Sequence, residues 1–179
     1  TMSGLMLADK VRRGFHRMHC GFAFWVGGTR ENAKHVGELE RLPGAAGVKV
    51  FMGSSTGDLL VEDDKGVAAI LKNTRRRAAF HSEDEYRLKE RLHLRFAGDA
   101  ASHPIWRDEV AALTCTQRLV AIAKKVRARI HVLHISTAEE IDFLALHKDI
   151  ATCEATPHHL TLSSDDYARL GTLIQMNPP

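Results

Sequence analysis

The sequence predicts an α/β protein built as part of a (β/α)8 barrel. Three observations carry that expectation. Short apolar strands alternate with helical stretches along all 179 residues, the pattern of a parallel sheet covered by helices. The glycine-rich turn that marks a nucleotide-binding open sheet is missing, since neither G-x-G-x-x-G nor G-x-x-x-x-G-K-[ST] occurs. Polar residues stand instead at the C-terminal ends of successive strands: Lys49, His81 and His134, then Thr156 ahead of His158. In a barrel every such end opens on one central mouth.

Residues 1–18 read as the end of a helix with apolar positions at Leu5, Leu7, Val11 and Phe15. The run CGFAFWV at 20–26 is a strand closed by Gly27-Gly28, and Thr29 is placed to cap a helix through Leu42, with Ala33, Val36, Leu39 and Leu42 on one face. Pro43-Gly44 ends it. The second strand, 48–52, runs into a Gly/Ser/Thr loop at 54–58 and a helix carrying Val67, Ala68, Ile70 and Leu71. Arg75-Arg76-Arg77 reads as a solvated face before a third strand, AAFH at 78–81. The acidic run Glu83-Asp84-Glu85 sits where a helix begins, so it is read as capping and dipole compensation rather than as a metal-binding cluster.

A surface helix and a long loop follow to Asp108, and 107–126 is a good helix. The fourth strand, 129–135, alternates, so Ile130, Val132 and His134 are expected on one face and His131, Leu133 and Ile135 on the other. Ser136 and Thr137, each with a glutamate three residues on, predict two overlapping capping boxes for a helix through His147. A fifth strand at 150–156 carries Thr152, Glu154 and Thr156 on one face, and Ser163 or Ser164 opens a short helix that Gly171 ends.

Composition bounds the function. With 44% hydrophobic and 26% charged residues the chain can bury one core, so a single domain over 1–179 is expected. A formal net charge of +3, with basic residues scattered, gives no footprint for nucleic acid. Cys20, Cys115 and Cys153 are odd in number and far apart, as reduced thiols of a cytoplasmic protein would be. No apolar run reaches the length of a membrane span and the N-terminus shows no signal-peptide pattern, so no membrane partner is expected.

The chemistry concentrates on Lys49, His81 and His134. A lysine inside a buried strand must be paired, neutralised or used. The intervals between the three residues each allow a helical crossover, so they can converge. Imidazole is a common zinc ligand, whereas an ammonium ion is not. Lysine becomes a ligand only once its amine has taken up carbon dioxide as a carbamate, an oxygen anion able to bridge two metals.

With these residues in place the whole chain resembles the dihydroorotases of the amidohydrolase superfamily. The phrases that carry the resemblance are GVKVFMGSSTGDLLV at 47–61, AFHSEDE at 79–85, HVLHIST at 131–137, EATPHHL at 154–160 and QMNPP at 175–179. The resemblance implies a metal-dependent hydrolase barrel present in part, its five strands matching barrel strands three to seven. It implies that Lys49 is the carbamylated lysine bridging two zinc ions, that His81 and His134 ligate the second zinc, and that Asn177 helps hold the substrate. The implied reaction is the reversible ring closure of N-carbamoyl-L-aspartate to dihydroorotate in pyrimidine synthesis, with two metals activating a water and polarising the ring carbonyl.

The departures matter equally. The family's His-x-His pair for the other zinc is absent, and so is its catalytic aspartate. A complete barrel needs about 250 residues, so the chain alone is expected to be incomplete and inactive. His158 and His159 belong to the family phrase without being ligands and are read as structural. Open sheet edges predict a homo-oligomer, with a transcarbamoylase as a further possible partner. Two other readings stand beside the small-molecule enzyme: a non-catalytic scaffold, and a hydantoinase- or allantoinase-like cyclic amidase.

Overall fold

A computed structural model describes residues 2–53 and 59–179. Five strands, β1 (Phe24–Gly27), β2 (Ala45–Phe51), β3 (Ala78–His81), β4 (Ile130–Val132) and β5 (Ala151–Cys153), form an all-parallel sheet in the order β1-β2-β3-β4-β5. Each strand joins the edge left by the one before, and the order does not reverse. A doubly wound open sheet contains such a reversal, the switch point where its ligands bind. A barrel wall does not. The fold class is therefore the expected one, part of a (β/α)8 barrel.

The pleat separates two faces. Val48, Val50, Phe80, Ile130, Val132 and Ala151 are buried against helices α3 (Asp64–Asn73), α6 (Glu109–Val126) and α7 (Ala138–Ala145), meeting Ile70, Leu71, Cys115, Leu119, Ala123 and Leu144. Cross-strand partners share a face, so the register Gly27, Lys49, Ala79, His131, Thr152 forms one row across the other face. Phe51 and His81 form the next row toward the strand ends.

The helices start where acidic or hydroxyl side chains can accept their orphan amides. Asp63, Asp84 and Asp108 cap α3, α4 (Glu85–Glu90) and α6, and Thr137 caps α7. Of the two capping boxes expected there, the Thr137 and Glu140 pair makes one half: Glu140 N donates to Thr137 Oγ1 at 3.2 Å, while the Glu140 carboxylate accepts from the Thr137 hydroxyl. Ser163 rather than Ser164 opens the turn before α9 (Tyr167–Leu170) and makes a full capping box with Asp166. None of the described helices is long and apolar enough to cross a membrane.

Several local expectations are corrected. The helix expected over 29–42 shrinks to α2 (Val36–Leu39), because Asn32 is diverted into loop bonds: its amide nitrogen donates to the carbonyls of Met2 and Gly27, and its carbonyl takes the Thr29 N–H. The arginine run is not simply solvated. Arg77 Nη1 donates to the carbonyls of Ile130 and Ile150, while the Arg75 and Arg76 amides donate to the buried Glu40 carboxylate. β4 is shorter than expected, and Ile135 joins the helix-side core with Ile130 and Val132 rather than facing away with His131. The break comes at His134, whose φ of 41° takes the chain out of the extended conformation. The expected loop at 54–58 lies outside the described residues.

Candidate metal centre

His81 and His134 meet at the C-terminal ends of β3 and β4. His81 is the last residue of a strand buried on both faces, and its carbonyl accepts from Met52 N just past β2. His134 follows β4 by two residues, and its left-handed backbone is uncommon outside glycine, though histidine is among the residues that adopt it. The result is a 3.1 Å approach of His81 Nδ1 to His134 Nε2, the rings edge to face with centroids 4.9 Å apart. Burial, with the neighbouring His81 and Lys49, pushes the His134 pKa down to about 3, so its ring is neutral at physiological pH. The Nδ1 of His134 is buried with no hydrogen-bond partner among the described residues.

Lys49 stands on the same face. It pairs in register with Ala79, two residues before His81, and its Nζ lies 4.5 Å from the centroid of the Phe51 ring, which neighbours His81. Burial lowers its pKa against the opposing pull of Glu154, so the site favours the uncharged amine more than water does. Beside it, His131 contacts Thr152 Oγ1 through Nδ1 at 2.9 Å and the Glu154 carboxylate through Nε2 at 3.3 Å.

Glu83 and Arg107 complete the surroundings, and neither was recognised from sequence. Glu83 was read as part of a helix cap. Asp84 does the capping, whereas Glu83 turns back and accepts from His81 Nε2 at 2.6 Å. Arg107 Nε donates to Glu83 Oε1 at 2.9 Å and its Nη2 lies against Oε2. Burial opposes the Glu83 anion, but the bonds from His81 and Arg107 overcome it and hold its pKa at about 2. The available signal was the spacing His81-x-Glu83, since residues i and i+2 of an extended chain share a side. Gly53 keeps this corner compact, because a Cβ there would lie 2.6 Å from the Glu83 carbonyl oxygen.

Asn177 does not share a hollow with His81 or His134. It lines a hollow of about 450 Å³ with Arg95, His103, Trp106 and Arg107, and His103 Nε2 donates to the neighbouring Met176 carbonyl at 2.8 Å. A second hollow of about 310 Å³ lies between Arg107, Ser136, His158, Tyr167 and Pro178. Neither hollow is lined by Lys49, His81 or His134. His159 is structural: it takes a bond from Thr156 and gives one to the Pro178 carbonyl. His158 is exposed.

The described residues contain no group of three His, Cys, Asp or Glu side chains placed to hold a metal. They supply two imidazole nitrogens 3.1 Å apart, close enough for both to reach one ion at the usual Zn–N distance of about 2.0–2.1 Å. Lys49 stands on the same face and is a ligand only as an oxygen anion. The donor set therefore fits half of a zinc site built on a modified lysine.

No protein-family profile matches the chain. It is 33% identical over 166 residues to the dihydroorotase of Methanosarcina mazei, covering 86% of this chain and 36% of that protein. It is 30% identical over 175 residues to the allantoinase of Streptomyces avermitilis, covering 91% of this chain and 38% of that protein. In structure it superposes on the L-hydantoinase (dihydropyrimidinase) of Arthrobacter aurescens with a TM-score of 0.89 at 22% identity, over 100% of this chain and 42% of that one. The chain thus spans little more than a third of the length of the curated relatives it matches.

Proposed function

Because the chain belongs to the amidohydrolase superfamily, with dihydroorotases among its relatives in sequence, we propose that it supplies Lys49, His81 and His134 to the zinc site of a dihydroorotase-type cyclic amidase. The observation that carries the reading is the 3.1 Å approach of His81 Nδ1 to His134 Nε2 on the face that bears Lys49. When bound, zinc supplies a Lewis acid that polarises an amide carbonyl and lowers the pKa of an attacking water.

The chain's own residues prepare that site. Lys49, with its charge disfavoured by burial, gives up one proton to become the neutral amine, whose nitrogen adds to carbon dioxide and loses a second proton, leaving a carbamate with an oxygen able to act as a ligand. His81 and His134 present ring nitrogens to one another, and Glu83 orients the His81 ring. Asn177, beside His103 and Arg107, holds the polar substrate. Residues 1–179 form part of one barrel domain in this reading, and the substrate is dihydroorotate or its ring-opened N-carbamoyl-L-aspartate, in pyrimidine synthesis.

The similarity to an allantoinase favours a second reading, a related cyclic amide as substrate. Turnover of dihydroorotate, allantoin, hydantoin and dihydrouracil by the zinc-loaded protein in a form that completes the barrel separates them, since residues 1–179 alone are expected to be inactive. Hydrolysis of dihydroorotate in preference to the other three is expected. Preference for another ring replaces the substrate assignment, and zinc binding without turnover of any of them supports a non-catalytic role.

A further inference from the structure

We infer that Arg107 is a positioning residue for His81: acting through Glu83, it fixes the imidazole tautomer that leaves Nδ1 open toward His134. The consequence for metal binding rests on the zinc-site reading above; the tautomer itself does not.

The geometry places a proton on Nε2. The guanidinium of Arg107 only donates, and its planar fork lies against both oxygens of Glu83, Nε on Oε1 and Nη2 on Oε2. This two-point, side-on pairing sets the plane of the carboxylate. Oε2, already accepting from Arg107, also lies 2.6 Å from His81 Nε2. That nitrogen must therefore be the donor, and a neutral imidazole that donates from Nε2 carries a bare lone pair on Nδ1. Nδ1 is the atom 3.1 Å from His134 Nε2. The arrangement is enclosed, with His81 2%, Glu83 1% and Arg107 4% exposed, so water does not compete for these partners.

Arg107 is itself anchored. It follows α5 (His103–Trp106) directly, and its guanidinium carbon lies 5.0 Å from the centroid of the Trp106 ring. His103, at the other end of that helix, holds the Met176 carbonyl beside Asn177. One short helix thus carries the support of the His81 tautomer and a support of the Asn177 segment. Carboxylate partners of this kind orient ligating imidazoles, and losing one typically lowers metal affinity about 10–100-fold.

The test is the nitrogen-proton correlation spectrum of the metal-free protein with 15N-labelled histidine, which reads the protonated ring nitrogen directly. His81 is expected as the Nε2–H form. In Arg107→Met the Nδ1–H form should become populated, and zinc affinity, measured by competition with a chromophoric chelator, should fall about 10–100-fold. Arg107→Met strands a buried carboxylate, so the pair variant Glu83→Gln with Arg107→Met, which buries no charge, is measured beside it and should show the same two changes. An Nδ1–H form of His81 in the unsubstituted protein overturns the inference. So does a folded pair variant that keeps both the tautomer and the zinc affinity. An unsubstituted protein that holds the Nε2–H form but binds no zinc supports the tautomer inference and sinks the zinc-site reading.

Discussion

Thr116→Val removes the middle of a buried hydroxyl chain and should destabilise the fold in a pH-dependent way. Glu140 is 2% exposed and has no ion-pair partner among the described residues. Its carboxylate is held instead by Thr116 Oγ1 at 2.6 Å and Thr137 Oγ1 at 3.0 Å, and Ser82 in turn donates to Thr116 at 2.9 Å. Valine keeps the shape and deletes both of the threonine's bonds. A hydrogen bond to a charged group contributes about 1.5–3 kcal/mol, so the expected loss at neutral pH is about 2–3 kcal/mol. For a chain of this size that corresponds to a fall in Tm of roughly 4–12 °C.

The pH dependence follows from the direction of the Glu140 shift. Burial raises its pKa above the ordinary 4.5, and the two threonines pull it back part of the way. A carboxyl that binds its proton more tightly when folded makes the fold more stable as pH falls through the folded pKa toward the unfolded value. Without Thr116 the folded pKa rises further. The cost of Thr116→Val is therefore full at neutral pH and shrinks on acidification. Urea unfolding at neutral and mildly acidic pH reads both effects. A loss below roughly 0.5 kcal/mol, or an equal loss at the two pH values, refutes the assignment of Glu140 as a hydroxyl-supported buried anion.

Three further outcomes are expected. Phe80→Ala, which empties a fully buried position between β3 and the helices, should cost about 3–5 kcal/mol by urea titration, and a loss under a third of that would contradict the core described here. Burial lowers the pKa of His103 below its ordinary 6.5; stability should therefore fall as pH drops below that value, and His103→Gln should flatten the dependence in the same unfolding measurement. Cys20 and Cys153 are exposed, whereas Cys115 is buried with its thiol pushed up to about 12. Mass spectrometry after iodoacetamide should show two additions to the native protein and a third only in denaturant, and three native additions would contradict the placement of Cys115.

The strand positions, and the meeting of His81 with His134 at neighbouring strand ends, were legible because they depend on local pattern. An apolar run such as AAFH at 78–81 has no alternative to burial, and a polar residue at its end faces the mouth of the sheet whatever surrounds it. What escaped depends on side chains meeting from distant parts of the chain. Glu83 sits in an acidic run that satisfies a capping rule, and Asp84 does meet that rule; nothing local distinguishes the neighbour that turns to His81 and Arg107. The pattern Ala33, Val36, Leu39 and Leu42 is a fair helical stripe, yet Asn32 competes for loop carbonyls and ends the regularity. The alternation of β4 held for Ile130 and Val132 and failed at His134, which lies against His81 on the Lys49 face instead of with Ile130 and Val132, and at Ile135, because His134 takes a left-handed conformation that strand periodicity does not anticipate. Arg77 donates to the carbonyl of Ile130 in β4 and to that of Ile150 just before β5, a role that three consecutive arginines do not announce.

Zinc binding by the protein and by its His81→Ala, His134→Ala pair variant tests most directly whether these strand ends form one metal site. Metal content after equilibration with zinc, read by plasma emission spectrometry together with chelator competition, should show one zinc held by the protein and lost from the variant, with circular dichroism showing that the variant stays folded although removal of the buried His81 lowers its unfolding midpoint. Equal zinc content and affinity in the two proteins would contradict the account, because the 3.1 Å approach of His81 to His134 would then be core packing and not half of a metal centre.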